Sequence, residues 1–498
     1  MPKKYHITPK PTLPRFTPIG KYGTIDWMED CLGCKNCVKQ NSCVYENYDK
    51  QTSFAQKMKS VEYLYICKNC LRCVQECTKG LLQQVVNPEY SWLGDSYWTP
   101  DTILSTWYQA ETGKIPVSGA GYRGPFVGEG FDKIWTDMSE IVRPTRDGIH
   151  GREYISTAVE LGRKLKALKF DSNNALVSDA PPLVSIPIPI IFNILPFGDL
   201  SPTVFLSMAQ AAEKAGTFMI IKTEDYFDEL KPYLKNLIPL LTVESLDEYQ
   251  EIIESVKIAE FIYTDNIMEH IQRAKQINPD LIFSIRLPMN KDANYIIDEL
   301  AHSGAEIIHL YADDYGNDFN GSEPKFSRVA SVPDRRTGGQ GPPLPYAELK
   351  HKPLDGSEPR FTKDVIHGVH LQLIEASIRD EVTIIASGGI ALAEHLAKII
   401  VCGADLVAID LPLLISLECR FCKNCLNDLP CPVEIHNVTP EYGVPRMTNL
   451  IGAWHSQLIE VLGAMGLREV RRLRGEVGRA MFYEDLEKES FGNIRVEE

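Results

Sequence analysis

Between residues 187 and 411, short apolar runs alternate with amphipathic stretches. The runs are "PIPIIFNIL", "TFMIIKT", "LIPLLTV", "KIAEFIYT", "LIFSIRLP", "EIIHLYAD", "VTIIASG" and "DLVAIDL". Each is short, and most are rich in β-branched residues, which predicts strands. Runs that are apolar throughout belong to strands covered on both faces, as in a parallel sheet flanked by helices. The intervening stretches have helical patterning. In "SPTVFLSMAQAAEKAG", Ser201 is placed to N-cap a helix and Gly216 to end it. Eight strand–helix units in this span predict a (β/α)8 TIM barrel, an α/β fold. A doubly wound sheet, which usually has fewer strands, is the rival.

A barrel directs attention to the C-terminal ends of its strands, where such folds keep their chemistry. There the chain offers Asn193, Glu224, Arg286, Asp313, Ser387, Gly388, Gly389 and Asp410. The turn "ASGGI" opens a helix, and its amides and glycines predict a phosphate cradle. A plain tight turn is the alternative. Residues 314 to 361, with "GNDFNGSEP" and "RRTGGQGPPLP", show neither period. A loop of that length reads as a functional lid or as disorder. Beyond the last run, Leu450, Trp454, Leu458 and Leu462 recur at helical spacing and predict a docking helix. The basic "REVRRLRGEVGR" after it predicts a solvated face or a patch for an acidic partner.

The chain's 498 residues exceed one ordinary domain. The pattern divides them into a ferredoxin-like dicluster domain (1–110), a linker and helical lead-in (111–180), the barrel ending in a cysteine run (181–435) and a helical tail (436–498). A net charge of −15 argues against a nucleic-acid partner. No apolar run reaches the ~18 residues of a membrane span. The opening "MPKKYHITPKPTLPRF" lacks the apolar segment of a secretory signal, so a cytoplasmic location is expected.

Of the thirteen cysteines, eight lie between Cys31 and Cys77, four between Cys419 and Cys431, and Cys402 stands alone. Clustered thiols in a large chain of this kind predict metal sites rather than a disulfide framework. "CLGCKNCVKQNSC" supplies Cys31, Cys34, Cys37 and Cys43, and "CKNCLRCVQEC" supplies Cys67, Cys70, Cys73 and Cys77. Three thiolates from one loop suit three corners of an Fe4S4 cube. In dicluster ferredoxins the fourth cysteine of each run serves the other cluster. That rule groups Cys31, Cys34, Cys37 and Cys77, and separately Cys67, Cys70, Cys73 and Cys43. Zinc, which favours separated pairs, is the alternative. Thr78 stands where a proline is usual, and the first run is longer before its fourth cysteine.

Residues 135 to 485 resemble the FMN-binding domain of glutamate synthase and its stand-alone relatives. The resemblance rests on "FNILPFGDLS", "FSIRLP", "GGQGPPLPYAELKH", "ASGGI" with "CGADLVAID", and "CRFCKNCLNDLPCPVEI", in that order. It implies FMN bordered by Asn193 and Pro196, and Arg286 where the family has a lysine near the ring. It also implies Gly338, Gly339 and Gly341 over the flavin, with Ser387, Gly388 and Gly389 at the phosphate. Cys419, Cys425 and Cys431 would match a three-iron cluster. Cys422 adds a fourth thiol, so a third [4Fe-4S] cluster is expected, with [3Fe-4S] as the alternative. Asp410 replaces a phosphate-loop glycine, and its charge would repel phosphate. The family's glycine-rich substrate loops after strand four and its glutaminase domain are missing, so little glutamate formation is expected.

Two functions follow. One is an iron–sulfur flavoprotein oxidoreductase acting on an unidentified small molecule. The other is an electron-transfer or scaffold subunit whose barrel has lost substrate chemistry. Both imply a redox partner protein or further subunits of an electron-transfer complex. Three residues keep bland alternatives: His150 as a structural hydrogen-bonder, Cys402 as core packing, and Arg286 as half of a salt bridge with Asp313 or Glu224.

Overall fold

The computed structural model describes residues 5–26, 70–115, 130–136, 155–167, 169–174, 177, 181–242, 246, 248–319, 359–475 and 480–483. The expectations for Cys31, Cys34, Cys37, Cys43, Cys67, His150, Gly338, Gly339 and Gly341 concern residues outside these.

Eight parallel strands close into a barrel. They are Ile190–Phe192, Met219–Lys222, Leu237–Leu241, Ile258–Ile262, Ile282–Pro288, Ile307–Tyr311, Thr383–Ser387 and Leu406–Ile409, called strands one to eight below. Each pairs with its successor, and strand eight returns to strand one with Ala408 opposite Ile191. The doubly wound alternative is therefore excluded. Nearly every strand residue is buried, because helices cover the outside and side chains fill the inside. After strand one, Ser201 occupies the N-cap position of helix Pro202–Ala215, but its hydroxyl bonds the Thr203 hydroxyl at 2.9 Å rather than a backbone amide; Gly216 (φ 69°) closes the helix in the left-handed region.

Where it is described, the lead-in at 111–180 holds the end of helix Pro100–Thr112, a short 3-10 helix, Gly130–Lys133, and the strands Ile134–Thr136 and Val159–Leu161. Val159–Leu161 pairs antiparallel with Val184–Ile186. This pair lies across the N-terminal end of the barrel. Thr157 Oγ1 donates to the Pro187 carbonyl at 2.6 Å, and Thr383 Oγ1 to the Gly162 carbonyl at 2.8 Å.

Helix Pro440–Ala464 packs along helix Pro202–Ala215, with Gly443 against Ser207. Leu450, Trp454, Leu458 and Leu462 are fully buried, and each large apolar side chain so buried contributes about 1.5–3 kcal/mol. The Trp454 indole donates to Gln109 at 3.1 Å, so its polar edge is satisfied too. The basic stretch that follows is partly paired within the chain. Arg474 bridges Asp405 at 2.7 Å and also Asp380, and Arg471 reaches Glu160 at 3.3 Å.

The chain divides into two compact units: residues 1–12, 105–419 and 423–498 with the barrel, and residues 13–104 with 420–422. In the second, Tyr22–Asp26 pairs antiparallel with Leu82–Val86. Helix Arg72–Glu76 precedes that strand and carries Cys73 on its buried side. Trp98 is buried against Phe421, with ring centroids 5.6 Å apart. Among the described residues, no helix is long and apolar enough to cross a membrane.

Candidate active site

Strands four to seven each point a polar side chain into the barrel. Glu260 (strand four), Ser284 and Arg286 (strand five), His309 (strand six) and Ser387 (strand seven) are all buried. The parallel register sets Glu260 beside Ser284 and Arg286 beside His309. The Arg286 guanidinium donates through Nη1 to Glu260 Oε1 at 2.9 Å and to Asn193 Oδ1 at 3.0 Å. His309 Nδ1 lies 2.9 Å from Glu260 Oε2, and His309 Nε2 lies 2.9 Å from Ser387 Oγ. The Ser284 hydroxyl also donates to Glu260 Oε2, at 3.0 Å. Tyr311 closes one side, its ring centroid 4.8 Å from the Arg286 guanidinium carbon.

Burial alone would push the Glu260 carboxyl up. The contacts from His309 and Arg286 overcome that and hold it at about 2. Burial drives His309 the other way, below its ordinary value, with Arg286 adding to the effect and Glu260 opposing it. The interior therefore pairs one carboxylate and one guanidinium with an imidazole whose neutral form burial favours.

Arg286 thus belongs to a salt bridge, but neither expected partner makes it. Glu224 lies in an exposed turn beside Lys222, and Asp313 Oδ1 accepts the amides of Tyr315 and Asn317 within its own turn. Glu260, Ser284, His309 and Tyr311 were missed. The available signals were a carboxylate in the middle of "KIAEFIYT" and an imidazole in the middle of "EIIHLYAD", both strand positions otherwise apolar.

At the mouth, Asn193 and Asp410 extend the network. Asn193 donates to Asp410 Oδ2 at 3.1 Å, while Asp410 Oδ1 accepts the Leu411 amide at 2.6 Å and caps the short helix Leu411–Ser416. Burial pushes the Asp410 carboxyl above its ordinary value, against those two hydrogen bonds. Pro196 is exposed beyond Asn193.

In the strand-seven turn, Gly388 (φ 98°) and Gly389 (φ 68°) are held against the chain itself. A Cβ on Gly388 would lie 2.7 Å from the Asp313 carbonyl oxygen, and one on Gly389 would lie 2.6 Å from Gly316 Cα. These glycines permit a close approach of two backbones, as well as the left-handed turn. The turn at 313–316 carries Tyr315, whose hydroxyl accepts from Lys423, between Cys422 and Cys425. The long loop after strand six is tied at its neck by the Asn317–Phe361 bridge and the Arg360–Asp318 ion pair at 2.8 Å.

An FMN phosphate suits the strand-seven side of the mouth. Helix Ala393–Val401 starts there without a side-chain cap, although the Ala391 amide already donates to His395 Nδ1 at 3.1 Å. The strand-eight side is taken by the Asp410 carboxylate. The cysteines offer the right donor chemistry for iron. Burial raises the Cys77 thiol, but the amides of Leu81, Lys79, Leu82 and Gly80 outweigh it and pull the pKa below the ordinary value. Cys70 is exposed and Cys73 buried. In the later run Cys419, Cys425 and Cys431 are half-buried and Cys422 is exposed. Five non-glycine residues there adopt left-handed backbone, from Glu418 (φ 75°) to Glu434 (φ 44°). Among the described residues, no three His, Cys, Asp or Glu side chains converge as a metal site. Cys402 is fully buried, with its thiol pushed up to about 12, as core packing requires.

Residues 363–468, from the helix before strand seven through the cysteine run and into the tail, match the conserved region in glutamate synthase. The chain is similar to glutamate synthases. It is 26% identical over 489 residues to the archaeal-type glutamate synthase [NADPH] of Dehalococcoides mccartyi, covering 91% of this chain and 93% of that protein. It is 25% identical over 502 residues to the archaeal glutamate synthase [NADPH] of Archaeoglobus fulgidus, covering 93% and 94%. Among solved structures, a mandelate oxidase mutant with a monooxide FMN adduct matches this chain at TM-score 0.37 and 12% identity, covering 68% of it and 92% of the oxidase.

Proposed function

We propose that the chain is a glutamate synthase-like iron–sulfur flavoprotein oxidoreductase whose redox centre is the barrel mouth. The observation that carries this reading is the reach of the similarity, which spans 91% of the chain and 93% of its glutamate synthase relative. Ser387, Gly388 and Gly389 would hold the FMN phosphate at the uncapped helix N-terminus, and Arg286 would be the cation of the ring site. Bound there, FMN supplies both hydride and single-electron chemistry. The protein's own residues set the environment: Glu260 neutralises Arg286, and Asn193 fixes the guanidinium. The cysteine runs Cys31–Cys77 and Cys419–Cys431 would hold [4Fe-4S] clusters, which carry single electrons to or from a partner protein. NADPH, for which the relatives are named, is the first electron donor to try.

The test is anaerobic turnover. Purified, iron-loaded protein is given NADPH or reduced viologen with 2-oxoglutarate and ammonium, and both reductant oxidation and glutamate are measured. Substrate-dependent oxidation supports the reading, with glutamate naming the substrate. The second reading, an electron-transfer or scaffold subunit, is favoured by Asp410 at the strand-eight side of the phosphate site. It predicts reductant oxidation only when a protein acceptor is added.

A further inference from the structure

The Glu260 carboxylate decides the tautomer of His309, because an ionised carboxylate only accepts. Arg286 Nη1 carries two hydrogens, and its shortest contacts are Glu260 Oε1 at 2.9 Å and Asn193 Oδ1 at 3.0 Å. Its third neighbour, His309 Nδ1 at 3.4 Å, then receives no proton from it. His309 Nδ1 carries its own hydrogen and donates to Glu260 Oε2 at 2.9 Å. The lone pair of a neutral ring is left on Nε2, which faces Ser387 Oγ at 2.9 Å. The Ser387 hydroxyl therefore points its proton at a base, and that base is oriented by a buried carboxylate.

We propose that Ser387, His309 and Glu260 form a base-activated nucleophile at the end of barrel strand seven, fit for acyl transfer from small esters or amides. The arrangement has the three parts such chemistry needs: a hydroxyl, an imidazole within hydrogen-bond reach, and a group that holds the imidazole in the right tautomer. Ser387 is the last residue of its strand, on the face where barrel chemistry sits. Gly388 and Gly389 follow it directly. The amide after a nucleophilic serine is the usual source of an oxyanion donor. In the reaction Ser387 Oγ bonds to the acyl carbon while its proton passes to His309 Nε2. The bond from that carbon to the leaving group breaks, and the leaving group takes the proton from Nε2. Water then repeats the sequence on the acyl-serine, releasing the acid and restoring the hydroxyl. Ser387 is 1% exposed, so the site selects small acyl groups. The chemistry needs neither flavin nor iron, but it shares Ser387 with the phosphate position of the redox reading. Labelling of the serine is therefore compared without and with added FMN: protection by FMN supports both readings, and labelling of flavin-free protein alone decides this one.

Methanesulfonyl fluoride, a small probe that traps activated hydroxyls, tests this directly. Full-length protein is incubated with it, and adducts are located by intact mass and peptide mapping. One adduct on Ser387 is expected, with fluoride released and the hydroxyl proton taken by His309. Its rate should fall as pH drops through an imidazole value below 6.5. H309Q should slow it by about 100-fold or more, and S387A should abolish it. No adduct on Ser387 in the wild type, or a rate indifferent to pH across that range, overturns the proposal whether or not the variants fold. Equal labelling of wild type and folded H309Q overturns it as well.

Discussion

Replacing Arg286 by methionine keeps an unbranched stem of similar width and removes the guanidinium with its charge, which makes it the sharpest perturbation of the barrel interior. Arg286 and Glu260 are 5% and 1% exposed and 2.9 Å apart, so the variant leaves a buried carboxylate without its cation. Breaking a buried pair from one side costs about 3–5 kcal/mol. The lost bond to Asn193 adds about 1 kcal/mol, placing Arg286→Met near the top of that range. Glu260→Gln leaves the guanidinium uncompensated and should cost about 3 kcal/mol. The double variant removes both charges, so its loss should fall short of the sum by about 2–3 kcal/mol. Urea unfolding followed by far-ultraviolet dichroism measures all four proteins. A pH series adds a sign. The Glu260 carboxyl, held at about 2 by His309 and Arg286 against an ordinary 4.5, contributes stability that is present above its unfolded pKa and lost as pH falls through its folded pKa. Removing Arg286 gives up part of that contribution, so the deficit of Arg286→Met should shrink as pH falls from about 7 toward about 3. Single variants within about 1 kcal/mol of wild type, or strictly additive losses, would refute the network as a coupled unit.

Three further outcomes follow from the same geometry. His370 accepts from Arg379 Nε at 3.2 Å, and burial with the Arg379 and Arg474 charges lowers its pKa to about 4. The stability it contributes is present above about 6.5 and lost as pH falls toward about 4. That loss is about 2 kcal/mol after solvent screening, and H370Q should flatten this part of a stability–pH curve. Gly389→Ala drives a Cβ to 2.6 Å from Gly316 Cα. It should cost about 2–4 kcal/mol, read as a lower thermal midpoint without any ligand. Asp410→Asn removes a negative charge beside the phosphate position while keeping an oxygen for the Leu411 amide. FMN affinity by fluorescence quenching should rise at least about tenfold, and riboflavin affinity should not change. Gly388→Leu is a poorer test of the same site, because its side chain would strike the backbone at Ala312 and Asp313.

The barrel was legible because its strands are buried on both faces, which writes them as apolar runs whatever their tertiary partners. The ends of the first helix were legible for a local reason, since Gly216 suits the left-handed turn that it makes. The docking helix was visible in the spacing of Leu450, Trp454, Leu458 and Leu462. The interior network was not legible, because nothing local links Glu260 to Arg286 or His309 to Ser387. Those pairs exist only after closure sets strands four to seven side by side. Arg286 was recognised as a site residue, but its partner was sought at strand ends and lay within strand four. The lead-in at 111–180 reads as linker and helix, and it does contain the short helix Gly130–Lys133; the strand Val159–Leu161 was not legible in it, because its partner Val184–Ile186 and the contacts at Pro187 and Thr383 lie further along the chain. Arg474 was read as part of a basic surface, and two aspartates distant in sequence, Asp405 and Asp380, partner it instead.

The central claim, that the barrel mouth is a flavin redox site served by iron–sulfur clusters, is tested most directly by cofactor content. Protein purified without oxygen and loaded with iron and sulfide is assayed for iron, then titrated with FMN while flavin fluorescence is followed. The account predicts about twelve irons per chain, as three four-iron clusters require, and saturable quenching at one FMN per chain. Iron near zero with zinc in its place, or full iron with no flavin bound at any concentration, would contradict it.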